Sequence, residues 1–487
     1  MRALRSGRSL VLLGVALVLG AATANAGPQP TPKPAGKPAD KPADKPADKS
    51  AQTPCAPAPT PLPPARFEPT VSRVAGDLAV GLPALEGRVV VALAPLESDA
   101  TVSRGDELAL RVTSLLAGKR SFEAPDHVED FEAAMNRTRK ATAVVYVRVR
   151  LDKGRLLATA DVHPVPATVW DRVRNPLPGS IAHAFAEAPI DAEVRSFLPA
   201  TPLVAKLELA RGRALESDVL AATCDDLDRD GEPEIVTVST DLVVLARLRA
   251  GKVEAVASRK WADLSGMDPT PLREPIASVF AISPGPSAGS EPLHVVVSST
   301  DRSKSVELDP TLEIARIFPS FAIPEGGAYA CTHLQALSIT GPLQRCAEGT
   351  PEPTRASVTG QFDAYASARL VDATGQSFDV WAGREGGVVE VRDSTGAVTK
   401  IPTGGAQLAV GDIDLDGKPE ILTSLDVTLG TPDAVVVYTW DRSLKLPPKE
   451  QQRIPIASGV RAIALCPSAG ARQPIVVATT DEIVVAR

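Results

Sequence analysis

Two short stretches of this chain concentrate carboxylates at a spacing that could hold a metal ion. The first reads Asp226-Leu227-Asp228-Arg229-Asp230-Gly231-Glu232-Pro233-Glu234, and the second Asp412-Ile413-Asp414-Leu415-Asp416-Gly417-Lys418-Pro419-Glu420. Acids at positions 1, 3, 5 and 9 converge only if the backbone wraps around a centre. Glycine at position 6 permits that sharp turn, and the carbonyl of position 7 (Glu232 or Lys418) adds an oxygen. An all-oxygen, carboxylate-rich donor set selects a hard cation, and a flexible multidentate loop suits Ca²⁺ better than the strict octahedron of Mg²⁺. The expected ligand set is therefore Asp226, Asp228, Asp230, Glu232 and Glu234, with Asp412, Asp414, Asp416, Lys418 and Glu420 in the second copy.

An EF-hand or dockerin-like loop would need an acid at position 12, where this chain has Thr237 and Thr423. Strand-like sequence rather than helix also flanks both loops. Other chemistry is hard to find. There is no G-x-S-x-G elbow, no H-E-x-x-H, no C-x-x-C and no P-loop, and the five histidines form no cluster. His127, His163 and His183 each lack a second ligand-type residue at metal spacing and read as ordinary surface or core side chains. Asn136-Arg137-Thr138 matches a glycosylation acceptor by chance, since it falls in a helical stretch. The acidic pairs that could serve a glycosidase or lyase are accounted for by calcium.

The loops belong to a repeat. A proline followed by a β-run recurs at Pro233, Pro292, Pro419 and Pro474, with a worn copy centred near Ser377. Each is preceded by a strand of small and apolar residues such as VLAATC, QLAVGD or RAIALC. The five centres lie 59, 85, 42 and 55 residues apart. The long interval is about twice the shortest, which leaves room for a sixth unit near His333. Units of this length, built of short strands and turns with no helical period, predict the blades of a β-propeller, about six or seven in number. Closing such strands into a ring removes the exposed edges that would otherwise aggregate.

The DxDxDGxPEI(V/L) context of the two loops resembles the FG-GAP or VCBS repeat, best known from the calcium-binding blades of integrin α-chains. The resemblance spans about 285 residues in architecture and is specific in the two loops. The Phe-Gly and Gly-Ala-Pro marks that name the family are absent here. It implies that calcium stiffens the link between two strands of a blade and is structural rather than catalytic. It also implies that partners are met by the loops around the central channel.

Ahead of the repeats, residues 67–200 read as a small α/β domain. Arg88–Leu96 is a buried strand, and Arg104–Gly118 is a helix with Leu108, Val112, Leu115 and Leu116 on one face and Gly118 as its stop. A second helix is expected from an Asp126 cap, and a hairpin turns at Asp152-Lys153-Gly154. In element order this domain is similar to the N-terminal domain of the Tol-system periplasmic protein, which also precedes a propeller. Its expected role is to dock a partner or to cap the propeller.

The N-terminus reads as an export signal. Arg2, Arg5 and Arg8 precede an apolar run from Leu10 to Gly20 and the small-x-small site Ala24-Asn25-Ala26. That run is too short to span a bilayer, which takes roughly 20 apolar residues. Residues 1–26 are the expected signal peptide, with no cysteine placed for lipidation, so a periplasmic or secreted location is expected. Residues 27–66 repeat Lys-Pro-Ala-Asp and are too proline-rich and polar to fold; a polyproline-II spacer at about 3.1 Å per residue could reach on the order of 100 Å. The propeller then occupies 201–487, giving a mainly β chain.

Five cysteines in an exported chain invite disulfides. Cys331 and Cys346 flank a Gly-Pro turn and are the expected pair. Cys224 and Cys466, at similar places in the first and last repeats, could close the ring and leave Cys55 over. A net charge of −7 without a basic stripe argues against nucleic acid, and nothing else in the chain could span a membrane. The expected function is a calcium-stabilised binding or scaffold module for a protein or glycan partner, and not an enzyme. The alternative is a carbohydrate-active enzyme, hydrolase or lyase, with its site assembled from channel loops.

Overall fold

The computed structural model describes residues 68–487 apart from short segments, the longest being 268–274, 285–290 and 347–359. The expected signal peptide, the proline-rich spacer and Cys55 lie outside the described residues.

Residues 70–195 form one α/β layer structure. Its elements are α1 (Thr70–Gly81), β1 (Val89–Leu93), β2 (Glu97–Ser98), α2 (Gly105–Arg120), α3 (Phe131–Arg137), β3 (Ala143–Asp152), β4 (Arg155–Pro164), α4 (Val169–Arg174), β5 (Ala182–Pro189) and α5 (Ala192–Arg195). The sheet order is β1-β3-β4-β5, with β1 and β2 parallel to β3 and the remaining pairs antiparallel. Every residue of β1 is buried, because helices cover both faces of that strand. On one face Val89, Val91 and Leu93 pack with Val74, Leu78, Leu108, Val112 and Leu116 of α1 and α2; on the other, Ala92 meets Ala134 and Met135 of α3. The hairpin turns where expected, with Lys153 and Gly154 both at positive φ, the geometry that matches strand twist.

Two helix ends differ from expectation. The second helical stretch is capped by Asp130, whose side chain accepts from the Ala133 N–H, so the chain from Asp126 to Glu129 stays irregular. The α2 helix runs past Gly118 to Arg120 and ends where Ser121 adopts a left-handed conformation. Helix α1 carries its apolar residues Val71, Val74 and Leu78 at helical spacing, yet follows so closely on the proline-rich stretch that composition masked it.

Among the described residues from 209 onward, the strands form six four-stranded antiparallel sheets. Blade 1 contains β7 (Ala221–Asp225), β8 (Glu234–Val238), β9 (Leu242–Arg249) and β10 (Lys252–Lys260) from the inside out. Blades 2 to 5 follow in the same way over 277–318, 321–362, 364–401 and 408–456. The inner strands touch in cyclic order, and that of blade 6 returns to β7, so the ring is a closed six-bladed β-propeller. The expected hidden unit near His333 is the second strand of blade 3, Ala328–Gln335.

The ring is closed by an exchange between its ends. The strand β6 (Leu209–Arg213), which precedes blade 1 in sequence, is the outer strand of blade 6, pairing Leu209 with Ala486 and Arg213 with Glu482. Cys224 of blade 1 is bonded to Cys466 of blade 6, and Cys331 to Cys346 within the third sheet's neighbourhood. All five residues of β8 are buried because neighbouring blades cover both faces, whereas the outer β10 alternates and shows Lys252, Glu254 and Lys260 to solvent.

Candidate metal centre

Both acidic loops join the first and second strands of a blade, the first in blade 1 and the second in blade 5. Their backbones share one path. Arg229 and Leu415 at position 4, and Gly231 and Gly417 at position 6, all have positive φ. At Gly417 a Cβ would also meet the Ala373 nitrogen of blade 4 at 2.8 Å, so glycine is required there twice over.

The internal hydrogen bonds repeat as well. Asp226 Oδ2 accepts from the Gly231 N–H at 3.1 Å, and Asp412 Oδ2 from the Gly417 N–H at 3.0 Å. The Leu227 N–H donates to Glu234 Oε2 at 2.7 Å, and the Ile413 N–H to Glu420 Oε2 at 2.7 Å. Position 5 accepts from position 7 in each, at 2.8 Å. The carbonyl of position 2 ties the loop to the next blade, accepting from Leu293 at 2.7 Å and from Gln473 at 2.8 Å. The acids at positions 1, 5 and 9 thus each spend one oxygen on shaping the loop, and the remaining oxygens are left for other partners.

In the second loop those remaining oxygens are short of partners. Asp412 is 4% exposed and its Oδ1 has no hydrogen bond; Asp414 Oδ1 is likewise buried and unpaired. Glu420 has no exposure, and carboxylate oxygens of Asp412, Asp414 and Glu420 all lie within 4.8 Å of one another. Burial, then repulsion from Asp416, pushes the Asp412 carboxyl well above its usual range. Burial, then the neighbouring Asp412 and Asp414, does the same to Glu420. Asp414 is pushed up to about 6, by burial and by Asp416. Lys418 meets one acid of the loop, Asp416 at 3.7 Å, and shares its charge with Asp441 at 3.5 Å. Unpaired, buried carboxylate oxygens converging on one point fit a hard divalent cation.

The first loop is built alike but surrounded differently. Arg247, on β9 directly across from Glu234, points its guanidinium into the loop. It pairs with Asp228, with Asp230 at 3.2 Å and with Glu234 Oε1 at 2.8 Å. Burial still pushes Glu234 up to about 7, because the Asp228 and Asp230 charges offset the guanidinium. Asp226 keeps one oxygen without a hydrogen bond and has Arg155 Nη1 3.5 Å from the other. In blade 5 the residue across from Glu420 is Thr439, whose hydroxyl donates to Glu420 Oε1 at 2.9 Å.

Sequence spacing did not bring out Arg247, Thr439 or Arg155. The hairpin between the second and third strands covers 239–241 in blade 1 but 424–432 in blade 5, so the two facing positions lie at unequal distances from their glutamates. Only the strand register makes them equivalent.

Both loops face the α/β domain. Arg155 of β4 reaches Asp226, while Leu415 is 4% exposed and packs in the same core as Val74, Leu78 and Val194. Ser468 of blade 6 donates to the Ile190 carbonyl at 2.9 Å, and Glu193 of α5 lies against Gly375 of blade 4. The channel opens on the opposite side in a cavity of about 680 Å³, lined by all six blades with small residues such as Ala221, Ala277, Ala366 and Ala462, larger aliphatic ones, and the polar side chains of Asp218, Asp363, Tyr365, Asp426, Asp433 and Arg461. Each of its acids has at least one partner, although Asp363 Oδ1 is buried without a hydrogen bond. Asp218 takes the Thr240 hydroxyl, and Asp363 and Asp426 share Arg384. Asp433 accepts from the Leu425, Ala434 and Val460 N–H groups.

No protein-family model matches the chain, and no curated protein matches it. Solved propeller structures do show likeness. The Dos1 propeller shares 11% identity over 70% of this chain and 78% of its own, with a TM-score of 0.28. TolB from Acinetobacter baumannii shares 12% over 77% and 95%, at 0.27. A mutant of AofleA from Arthrobotrys oligospora shares 11% over 58% and 86%, at 0.35. At these scores the likenesses carry no site or function across; the propeller reading stands on the six closed sheets.

Proposed function

We propose that this chain is an exported, calcium-stabilised β-propeller of the FG-GAP/VCBS kind that serves as a binding or scaffold module for a protein or glycan partner in the envelope or outside the cell. The observation that carries the calcium reading is the unpaired, buried Oδ1 of Asp412, gathered with Asp414 and Glu420 around one point. Asp412, Asp414, Asp416 and Glu420 would hold the ion, with the Lys418 carbonyl as a further oxygen. When bound, it neutralises acids that otherwise repel one another, and so stiffens the link between two strands of blade 5. The scaffold reading is supported by the pairing of the channel's acids, since Asp218, Asp363, Asp426 and Asp433 each hold a hydrogen bond or ion pair within the propeller. Export is supported by two disulfides, which persist in oxidising compartments.

Calorimetric titration of the full chain tests the calcium reading. A cation that binds only the folded state stabilises it by about 2.7 kcal/mol at 100 times Kd. Extracellular loops of this kind bind at roughly 10⁻⁴–10⁻³ M, so millimolar calcium should give part of that gain and raise Tm. No heat of binding and no Tm shift would reject it. A pull-down from an envelope fraction, with calcium and with chelator, tests the module reading. Turnover of a glycan by the purified chain would instead favour an enzyme.

A further inference from the structure

We propose that the first acidic loop carries its cation built in, as the Arg247 guanidinium, so that the chain binds a single calcium ion, at the second loop. This rests on reading the Asp412 loop as a calcium site.

The two loops match in the backbone and in the bonds at positions 1, 5 and 9, and differ at position 3, where Asp228 Oδ1 accepts from the Asp230 N–H and Asp414 Oδ1 has no hydrogen bond, and in what faces them. Backbone path, glycine, and the bonds that fix positions 1, 5 and 9 are the same in both. One register position differs: β9 presents Arg247 across from Glu234, where blade 5 presents Thr439 across from Glu420. A threonine hydroxyl can satisfy one oxygen of the glutamate but brings no charge. A guanidinium brings a permanent positive charge and a planar fork of donors. Here the fork spans three carboxylates, Asp228, Asp230 and Glu234, with the Arg247 side chain only 17% exposed. Those are three of the four acids a cation would need.

The converging acids divide in the same way. In the second loop the position-9 glutamate joins the trio with Asp412 and Asp414; in the first the trio is Asp226, Asp228 and Asp230, and Glu234 Oε1 lies 2.8 Å from Arg247 Nε. Asp226, the acid Arg247 does not pair with, lies near a second guanidinium, that of Arg155. Among the described residues no guanidinium pairs with the acids of the second loop: Lys418 meets Asp416 alone among them and shares its charge with Asp441, and the nearby Arg195 donates Nη2 to the Pro199 carbonyl at 2.8 Å. For calcium to enter the first loop, Arg247 would have to leave three carboxylates and two positive charges would be crowded beside the incoming ion. At the second only Lys418 would have to yield, and it meets a single acid of the loop.

Calcium stoichiometry of the full chain by calorimetry, on the wild type and three variants, tests this. One ion per wild-type chain is expected. Asp414→Ala should lower that to none, Asp228→Ala should leave it at one, and Arg247→Thr, which copies the blade 5 arrangement, should raise it to two. Arg247→Thr should also be less heat-stable in chelator and recover in calcium, so a variant that folds only with calcium supports the proposal as well. Two ions on the wild type, with Asp228→Ala losing one, would overturn the arginine substitution and leave the calcium reading intact. No ion on the wild type would overturn the calcium reading and the count of one together. An Arg247→Thr chain that folds in chelator but still binds one ion would overturn the claim that Arg247 is what closes the first loop.

Discussion

Glu420 has no exposure and shares its surroundings with Asp412 and Asp414, so its charge costs stability whenever no cation is present. Glu420→Gln keeps the shape and an oxygen for the Ile413 N–H while removing that charge. The chelated variant should melt no lower than the chelated wild type, and its calcium-induced rise in Tm should vanish; a retained rise would move the ligands elsewhere. A second buried acid has the opposite setting. Burial would raise the Asp393 carboxyl, but its bonds from Thr395, from Arg442 and from the Ala397 N–H outweigh that and hold it below the usual range. Arg442 of blade 5 pairs with it at 2.9 Å across the blade boundary and lies 3.4 Å over the Phe378 ring. Arg442→Ala strands a carboxylate whose side chain has no exposure, and should destabilise by about 3 kcal/mol in denaturant unfolding. Asp393→Asn in the same chain should recover part of it, and additive losses would refute the pairing. A carboxyl held low supports the fold above its unfolded pKa and loses that support as pH falls through the folded value. This pair therefore weakens only in strong acid.

At the scale of elements, the ring depends on its ends finding each other. Without β6 the last blade would lack its outer strand, and without the Cys224–Cys466 bond only packing and β6 would hold blade 6 to blade 1. That bond closes a loop of 242 residues, for which chain-entropy reasoning gives up to about 5 kcal/mol. Cys224→Ser with Cys466→Ser should thus lower Tm strongly, and cost about 2 kcal/mol more than loss of the 15-residue Cys331–Cys346 loop. Equal losses from the two would argue that blade packing alone closes the ring. Four of the blades were legible in the sequence because each keeps a proline ahead of an apolar β-run, at Pro233, Pro292, Pro419 and Pro474, while the third and fourth were reached from a spacing and a worn copy. The loops were legible because their acids and glycine are consecutive. The facing residues were not, since a strand pairs residues whose separation is set by hairpin length. The α3 cap was misplaced for a related reason: Asp126 and Asp130 both offer cap chemistry, and only packing of Phe131, Ala134 and Met135 against β3 chooses between them. The closing strand β6, LARGR, has too little alternation to declare itself.

At the scale of the whole molecule, the loops that gather charge are also where the α/β domain meets the propeller. Leu415 occupies position 4 of the calcium loop, between Asp414 and Asp416, and its side chain is part of the α/β core. A cation that draws Asp414 and Asp416 inward therefore also sets where Leu415 can point. In chelator, repulsion among the same acids should loosen Leu415 and with it the seat of α5, while the first loop, neutralised by Arg247 and Arg155, should stay fixed. Amide hydrogen exchange on the full chain checks this. Removing calcium should speed exchange in 412–420 and in the facing segment 190–198, and leave 226–234 unchanged. Leu415→Asp should reproduce the change at 190–198 with calcium present, because it removes the contact without touching the ligands. Exchange that rises equally in both loops would show that they respond alike to the ion. Exchange that rises in 412–420 alone would show that the domain is held by Arg155, Glu193 and Ser468 without help from the cation loop.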